Sequence, residues 1–168
     1  LSCAYLASRF GCEPNEPVLV MPIDPYVSDS YFERAKLVGE AASEGLSDVV
    51  LMGVEPTYPS AKYGYILPKQ EGIGRSIPVE RFIEKPSEED AATLIERGAL
   101  WNCGIFGFKL GYVLSILERK LGATSFDEVR SRYSELEKIS FDYGVTEKAK
   151  HVSVVGYSGS WKDIGTWN

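Results

Sequence analysis

Val49-Val50-Leu51-Met52-Gly53-Val54 is an apolar run with no polar interruption, bounded by Gly45 and Asp48 on one side and Glu55-Pro56 on the other. A half-buried strand alternates in polarity; an unbroken run of this length between turn residues is what a strand covered on both faces requires. Helices must then lie above and below the sheet. Val18-Leu19-Val20-Met21, stopped by Pro22, reads the same way. Between the two runs, Ser30 and Glu33 have the spacing of a capping box. The helix they open carries Phe32, Ala35, Val38 and Ala42 on one face and ends at Gly45. Strand, helix, strand is the opening of an α/β layer.

Working outward, the alternation continues. Leu1 to Arg9 reads as helix closed by Gly11, and Glu55 to Lys62 as a proline-containing loop before a short strand, Tyr63 to Leu67. Val79 to Glu84 reads as a strand ended by Pro86. Ser87 and Asp90 then cap a helix that Gly98 stops. Gly104 to Leu110 is expected as strand and Tyr112 to Leu121 as helix. Ser125 with Glu128 opens a helix reaching about Lys138, Tyr143 to Ala149 is a short helix, and Val152 to Val155 the last strand. The expected architecture is α/β: a Rossmann-like, mixed, mostly parallel sheet flanked by helices. Without an internal repeat or low-complexity linker, residues 1–168 form a single domain.

Composition excludes several roles. Apolar residues are 44% and charged residues 25%, ordinary for a folded soluble domain, and the net charge of −6 argues against nucleic acid as a partner. No apolar stretch approaches a membrane span and nothing at the start resembles a signal peptide, so no membrane partner is expected, and three cysteines without metal-ligand spacing suit a reduced, cytoplasmic setting. Cys3, Cys12 and Cys103 are odd in number and lack metal-ligand spacing, and His151 is the single histidine with nothing local to pair it with Cys103. A thiol nucleophile is therefore not expected.

In sheets of this kind ligands gather beyond the carboxyl ends of the strands. Asp24 follows the Val18 strand, Glu84 and Lys85 end the Val79 strand, and Asp163 follows the Val152 strand. Two carboxylates from different strands can hold Mg²⁺, a hard cation that keeps waters and phosphates in its shell. By its residues alone Asp24 reads first as a turn residue before proline, and Asp163 as a helix cap or loop acid. Lys85 can neutralise phosphate or simply be solvated. On a regular strand Glu84 and Lys85 would point to opposite faces, so both serve one ligand only if the strand ends or twists there, which Pro86 favours. Gly64, inside Tyr63-Gly64-Tyr65, permits close backbone approach or marks a bulge. Asn102 precedes the expected Gly104 strand and needs a loop or an antiparallel neighbour to reach the same mouth. Trp101 and Trp161 read as core or lid residues.

Together these words resemble the mannose-1-phosphate guanylyltransferases of the sugar nucleotidyltransferase superfamily. They are Val18-Leu19-Val20-Met21-Pro22-Ile23-Asp24, Gly53-Val54-Glu55-Pro56-Thr57, Tyr63-Gly64-Tyr65-Ile66 and Phe82-Ile83-Glu84-Lys85-Pro86. Trp101-Asn102-Cys103-Gly104-Ile105-Phe106, Ser140-Phe141-Asp142-Tyr143-Gly144-Val145-Thr146-Glu147-Lys148 and Trp161-Lys162-Asp163-Ile164-Gly165-Thr166-Trp167 follow in the family's order. The resemblance implies that Asp24 and Asp163 are metal-ligand positions for Mg²⁺. It implies that Gly64, Glu84 and Asn102 contact the hexose, that Lys85 meets its phosphate, and that Asp24, Lys85 and Asp163 carry catalysis. The implied reaction joins mannose-1-phosphate and GTP to give GDP-mannose and pyrophosphate.

Pro25 stands where the family commonly has His, and Cys103 where Ser is usual. The resemblance places the Gly-rich nucleotide loop and the Lys-Pro-Lys-Gln segment before Leu1, and a β-rich region after Asn168. The chain is thus expected to be the central and C-terminal part of a catalytic domain, with homo-oligomerisation a matter for the full-length protein. Competing readings are an enzyme making an ADP-, UDP- or dTDP-linked sugar, and a regulatory paralogue that binds sugar phosphate without chemistry. Residues 1–168 expressed alone are expected to make no GDP-mannose from GTP and mannose-1-phosphate; turnover beyond contamination in a product assay would refute this.

Overall fold

The computed structural model describes residues 1–69 and 76–164. Eight strands are found there: β1 (Pro17–Val20), β2 (Pro25–Val27), β3 (Val49–Val54), β4 (Tyr65–Pro68), β5 (Ile77–Ile83), β6 (Leu100–Lys109), β7 (Val152–Tyr157) and β8 (Trp161–Asp163). The α-helices are α1 (Ser2–Tyr5), α2 (Asp29–Glu44), α3 (Glu88–Glu96), α4 (Leu110–Leu121), α5 (Phe126–Ser131) and α6 (Phe141–Gly144). Six strands form one sheet in the order β1-β6-β3-β7-β5-β4, and β2 pairs with β8 in a separate ribbon.

The mixed α/β class expected from sequence is what folds. Strand β3 is buried at every position. Val50, Met52 and Val54 meet Tyr31, Ala35, Val38 and Ala42 of α2 on one face. Val49 and Leu51 point the other way, into a cluster with Cys3, Phe106, Phe108 and Leu110. Both layers exist because period-2 side-chain alternation sends apolar groups in both directions and each face must be covered.

Pairing differs from the expectation of mostly parallel strands. Only β3–β7 is a parallel ladder among the described residues; β1–β6, β3–β6, β4–β5, β4–β6 and β5–β7 are antiparallel. Four of the six strands nonetheless run in one direction, since β5 and β6 alone are reversed. Reading strand direction from a strand–helix alternation misses β6 because it inserts between β1 and β3 instead of extending the sheet at an edge.

Other corrections are local. The Val18 run is an edge strand, not a central one, with Leu19 and Val20 exposed. Helix α2 starts two residues early, with Ser28 at the N-cap, and Tyr31 rather than Phe32 enters the core. The hydroxyls of Ser28 and Ser30 instead lie 2.9 and 3.3 Å from that of Tyr157, tying the start of α2 to the end of β7. The first helix passes at Leu6 into a π-helical turn before Gly11 closes it. The helix after Ser125 stops at Ser131, and the Tyr143 segment divides into α6 and a 3₁₀ turn over Thr146–Lys148. The last strand of the sheet runs on to Tyr157. The box at Ser87 forms as read: its hydroxyl accepts from the Asp90 amide at 3.1 Å and donates to the Asp90 carboxylate at 2.7 Å.

Gly107 fixes how closely α2 sits on the sheet. A Cβ there would lie 2.8 Å from Val38 Cγ1 and 2.9 Å from the Val38 carbonyl oxygen, and the carbonyl belongs to helix backbone that cannot swing away. Gly107→Ala is expected to destabilise the fold by about 1–3 kcal/mol, the usual cost of overpacking a core. Urea unfolding should show a lower midpoint with an unchanged slope.

Candidate functional site

Strand β6 begins at Leu100, four residues ahead of the expected start, so Trp101, Asn102 and Cys103 lie within it. Between the pairs Leu51↔Phe106 and Gly53↔Asn102, β3 advances two residues while β6 advances four. The excess is a bulge, and Gly104 sits in it at φ +78°, a conformation that L side chains rarely adopt. The Asn102 side-chain oxygen accepts from the Gly104 amide at 3.1 Å, and the Asn102 amide donates to the Gly64 carbonyl at 2.8 Å. Asn102 thus reaches the ligand side through antiparallel neighbours.

Gly64 is buried beside it. A Cβ on Gly64 would stand 2.5 Å from Glu84 Oε2 and 3.1 Å from Phe82 Cζ. A side chain at Gly64 would have to displace the Glu84 carboxylate from that space. Glu84 follows the last residue of β5, and its side chain is only 9% exposed. Lys85, next along, has φ +47° and is the one non-glycine with positive φ among the described residues. A left-handed Lys costs about 1–2 kcal/mol, here immediately before a proline. The strain breaks the strand's alternation. As a result Lys85 Nζ lies 3.4 Å from Glu84 Oε1, and both residues line one cleft.

The two-stranded ribbon supplies the remaining groups. The β2 and β8 segments are three residues each and pair only with one another, while Val27 and Trp161 pack against the core. Their register pairs Pro25 with Asp163, which sets Asp24 and Asp163 on the same rim although 139 positions separate them in sequence. Gly165, Thr166 and Trp167, the end of the Trp161 motif, lie outside the described residues.

A cleft of about 320 Å³ is lined by Asp24, Gly64, Glu84, Lys85, Asn102 and Asp163, the six residues singled out from sequence. Lys62 and Asp142 line it as well. In the sequence Asp142 stands out only as part of the Ser140-Phe141-Asp142-Tyr143 segment. Its one local signal is its place in the first turn of a short helix after Ser140, whose hydroxyl accepts from the Tyr143 amide. An adjoining hollow of about 730 Å³ shares Tyr63, Trp161 and Asp163 and is walled by Tyr58 and Trp101. These aromatic rings pack edge-on or tilted, with centroids 4.9–6.1 Å apart.

Charge in the cleft is unbalanced. Four carboxylates (Asp24, Glu84, Asp142, Asp163) face two ammonium groups (Lys62, Lys85). Burial pushes the Glu84 carboxyl above its usual range, the Asp142 charge adds to the rise, and Lys85 opposes it. Burial likewise raises Asp142, against the hydrogen bond from Asn102. Cys103 is fully buried and burial pushes its thiol up to about 11; the Sγ donates to the Met52 carbonyl at 3.2 Å. It is a packing residue. His151 lies on the surface, with Nδ1 3.6 Å from Asp48 Oδ2.

Among the described residues no group of three or more His, Cys, Asp or Glu side chains is arranged to hold a metal ion, and no helix is long and apolar enough to cross a membrane. Asp24 and Asp163 offer a two-carboxylate set of hard oxygen donors, which suits a cation that fills its shell with water and phosphate oxygens.

Comparison with known proteins follows the same lines. The profile of the nucleotidyl transferase family matches residues 2–168. The mannose-1-phosphate guanylyltransferase of Sinorhizobium fredii (strain NBRC 101917 / NGR234) is 33% identical over 188 residues, covering 100% of this chain and 36% of that protein. The alginate biosynthesis protein AlgA of Pseudomonas putida is 32% identical over 179 residues, covering 92% of this chain and 36% of the relative. A crystal structure described as mannose-1-phosphate geranyltransferase from Thermus thermophilus superposes with a TM-score of 0.80 at 37% identity, covering 98% of this chain and 50% of that one. The chain thus spans about a third of these curated relatives and half of the solved structure.

Because folding raises the pKa of Glu84, its ionised form is the disfavoured one. The stability it contributes is complete below the ordinary glutamate pKa and is lost as pH rises through the elevated value. Glu84→Gln, which removes the charge, is expected to raise the melting temperature at pH 7 and to lose that gain as pH falls toward 4. Calorimetry across that range checks it; a constant difference would mean that ionisation of Glu84 is not the cause.

Proposed function

The chain belongs to the nucleotidyl transferase family, and from that membership we propose that the intact protein transfers a guanylyl group from GTP to mannose-1-phosphate, giving GDP-mannose and pyrophosphate. The observation that carries this reading is the meeting of Asp24, Gly64, Glu84, Lys85, Asn102 and Asp163 at one cleft. The 33% identity to a mannose-1-phosphate guanylyltransferase, over 100% of this chain, supports the choice of sugar.

In the proposed reaction an anionic oxygen of the sugar phosphate attacks the α-phosphorus of GTP. A new O–P bond forms as the bond to the bridging oxygen breaks, and the electron pair leaves with pyrophosphate. The attacking oxygen is already ionised, so no general base is required. What the protein supplies is placement and charge neutralisation. Glu84 accepts hydrogen bonds from hexose hydroxyls, Asn102 contributes its amide, and the bare backbone of Gly64 allows close approach. Lys85 stands against the sugar phosphate, its exposed ammonium tethered by Glu84 at 3.4 Å.

The excess of carboxylates in the cleft supports a divalent cation. Bringing two phosphorylated substrates to four acids and two lysines calls for added positive charge. Asp24 and Asp163 would hold it, and Mg²⁺ fits their all-oxygen character. When bound, it supplies charge neutralisation at the phosphate oxygens.

Two experiments on the intact protein test the proposal. Four nucleoside triphosphates assayed against several hexose-1-phosphates should give the highest kcat/KM for GTP with mannose-1-phosphate. Preference for another pair reassigns the enzyme, and binding without turnover on any pair identifies a non-catalytic sugar-phosphate protein. In a Mg²⁺ titration, Asp163→Ala should lower product formation by at least about 100-fold, the scale for losing a preorganised charge-stabilising group, with its melting temperature close to the parent's. Unchanged turnover would remove Asp163 from the mechanism.

A further inference from the structure

Asp142 lines the candidate cleft without being needed for any role in the proposed reaction. Its carboxylate accepts a hydrogen bond from Asn102 Nδ2 at 2.8 Å, between residues 40 positions apart. The other end of the same amide, Asn102 Oδ1, accepts from the Gly104 amide inside the β6 bulge at 3.1 Å. An asparagine amide can ordinarily turn over and exchange its donor for its acceptor. Here that exchange would press the side-chain oxygen against a carboxylate and the side-chain NH₂ against a backbone N–H. Both contacts would be lost, and the one to the carboxylate is the stronger because its acceptor is charged.

Orientation matters because of what lies beside Asn102. A single Cβ placed on Gly64 would be 2.5 Å from Glu84 Oε2 and 3.5 Å from Asn102 Cβ, so the carboxylate and the amide flank the same glycine. A sugar hydroxyl has one proton. If it donates that proton to ionised Glu84, it can only accept from its other neighbour, so Asn102 must present N–H and not oxygen. After bonding Asp142 and Gly104, Asn102 retains one N–H and one lone pair for such use.

We infer that Asp142 is a positioning residue that locks the Asn102 amide in the orientation in which its free N–H meets a hexose hydroxyl shared with Glu84. The inference rests on the proposed reading of the cleft as a hexose-1-phosphate site. The charged groups that interact with Asp142 are Glu84 and Lys85, of opposite sign. Asn102 is the side chain that hydrogen-bonds it directly.

The test is a double-mutant cycle on the intact protein, with hexose-1-phosphate and nucleoside triphosphate varied separately. Asp142→Ala should raise KM for the hexose-1-phosphate about tenfold, equivalent to about 1.4 kcal/mol, with kcat and the triphosphate KM within about twofold of the parent. Asn102→Ala combined with Asp142→Ala should be no worse than Asn102→Ala alone, since a residue acting through another contributes nothing once that partner is gone. Asp142→Asn, whose amide oxygen can still accept from Asn102 Nδ2, should recover most of the loss; it also serves where the alanine variant does not fold. Additive losses in the cycle, equal effects on both substrates, or an Asp142→Asn variant as impaired as Asp142→Ala would each overturn the inference. A parent protein that turns over no hexose-1-phosphate would instead defeat the functional reading on which it rests.

Discussion

Strand β6 holds the molecule together. Its ten residues pair with β1 and β3 on either side and with β4 near its start. Because it runs against β1 and β3, its start reaches the same mouth as their ends. A parallel β6 would have carried Asn102 to the opposite edge of the sheet. The bulge at Gly104 adds a second constraint. Two extra residues must be absorbed between Phe106 and Asn102, and the Asn102 side chain closes the loop they make. The site residue and the strand's irregularity are one structural feature.

Close packing and charge strain meet at the same place. The Glu84 carboxylate packs against bare Gly64, Lys85 is turned into a left-handed conformation, and two carboxyl groups are held where burial disfavours their charge. Each arrangement costs stability, and the rigid sheet beneath tolerates them together. Clustered local strain of this sort is characteristic of ligand sites. A sheet covered on both faces, with β3 wholly buried, is a platform able to sustain it.

Much of this was legible in the residues. The buried β3 run, the Ser87 box and the glycine ends of α2 and α4 follow from patterns a few positions long, while the six cleft residues were marked by their places beside strands and by the family resemblance. What failed involved choices between neighbours of similar character. Tyr31 and Phe32 are both aromatic, and which one enters the core depends on where α2 begins. Ser28 and Ser30 can each cap; Tyr157, more than a hundred residues away, bonds both hydroxyls. The ribbon of β2 and β8 left no pattern at all, because three residues cannot show a period.

By itself the sequence determined the α/β layering and the chemical inventory of the site, since apolar runs, caps and turn residues act over short range. It also carried the words that place the chain in its family. Strand order and direction were decided only on folding, as was the exposure of β1 at an edge. So were the pairing of Pro25 with Asp163 and the bond between Asn102 and Asp142. Each of these joins segments distant along the chain. Such contacts depend on which surfaces remain to be covered once the local elements have formed, a condition that no short stretch of sequence encodes.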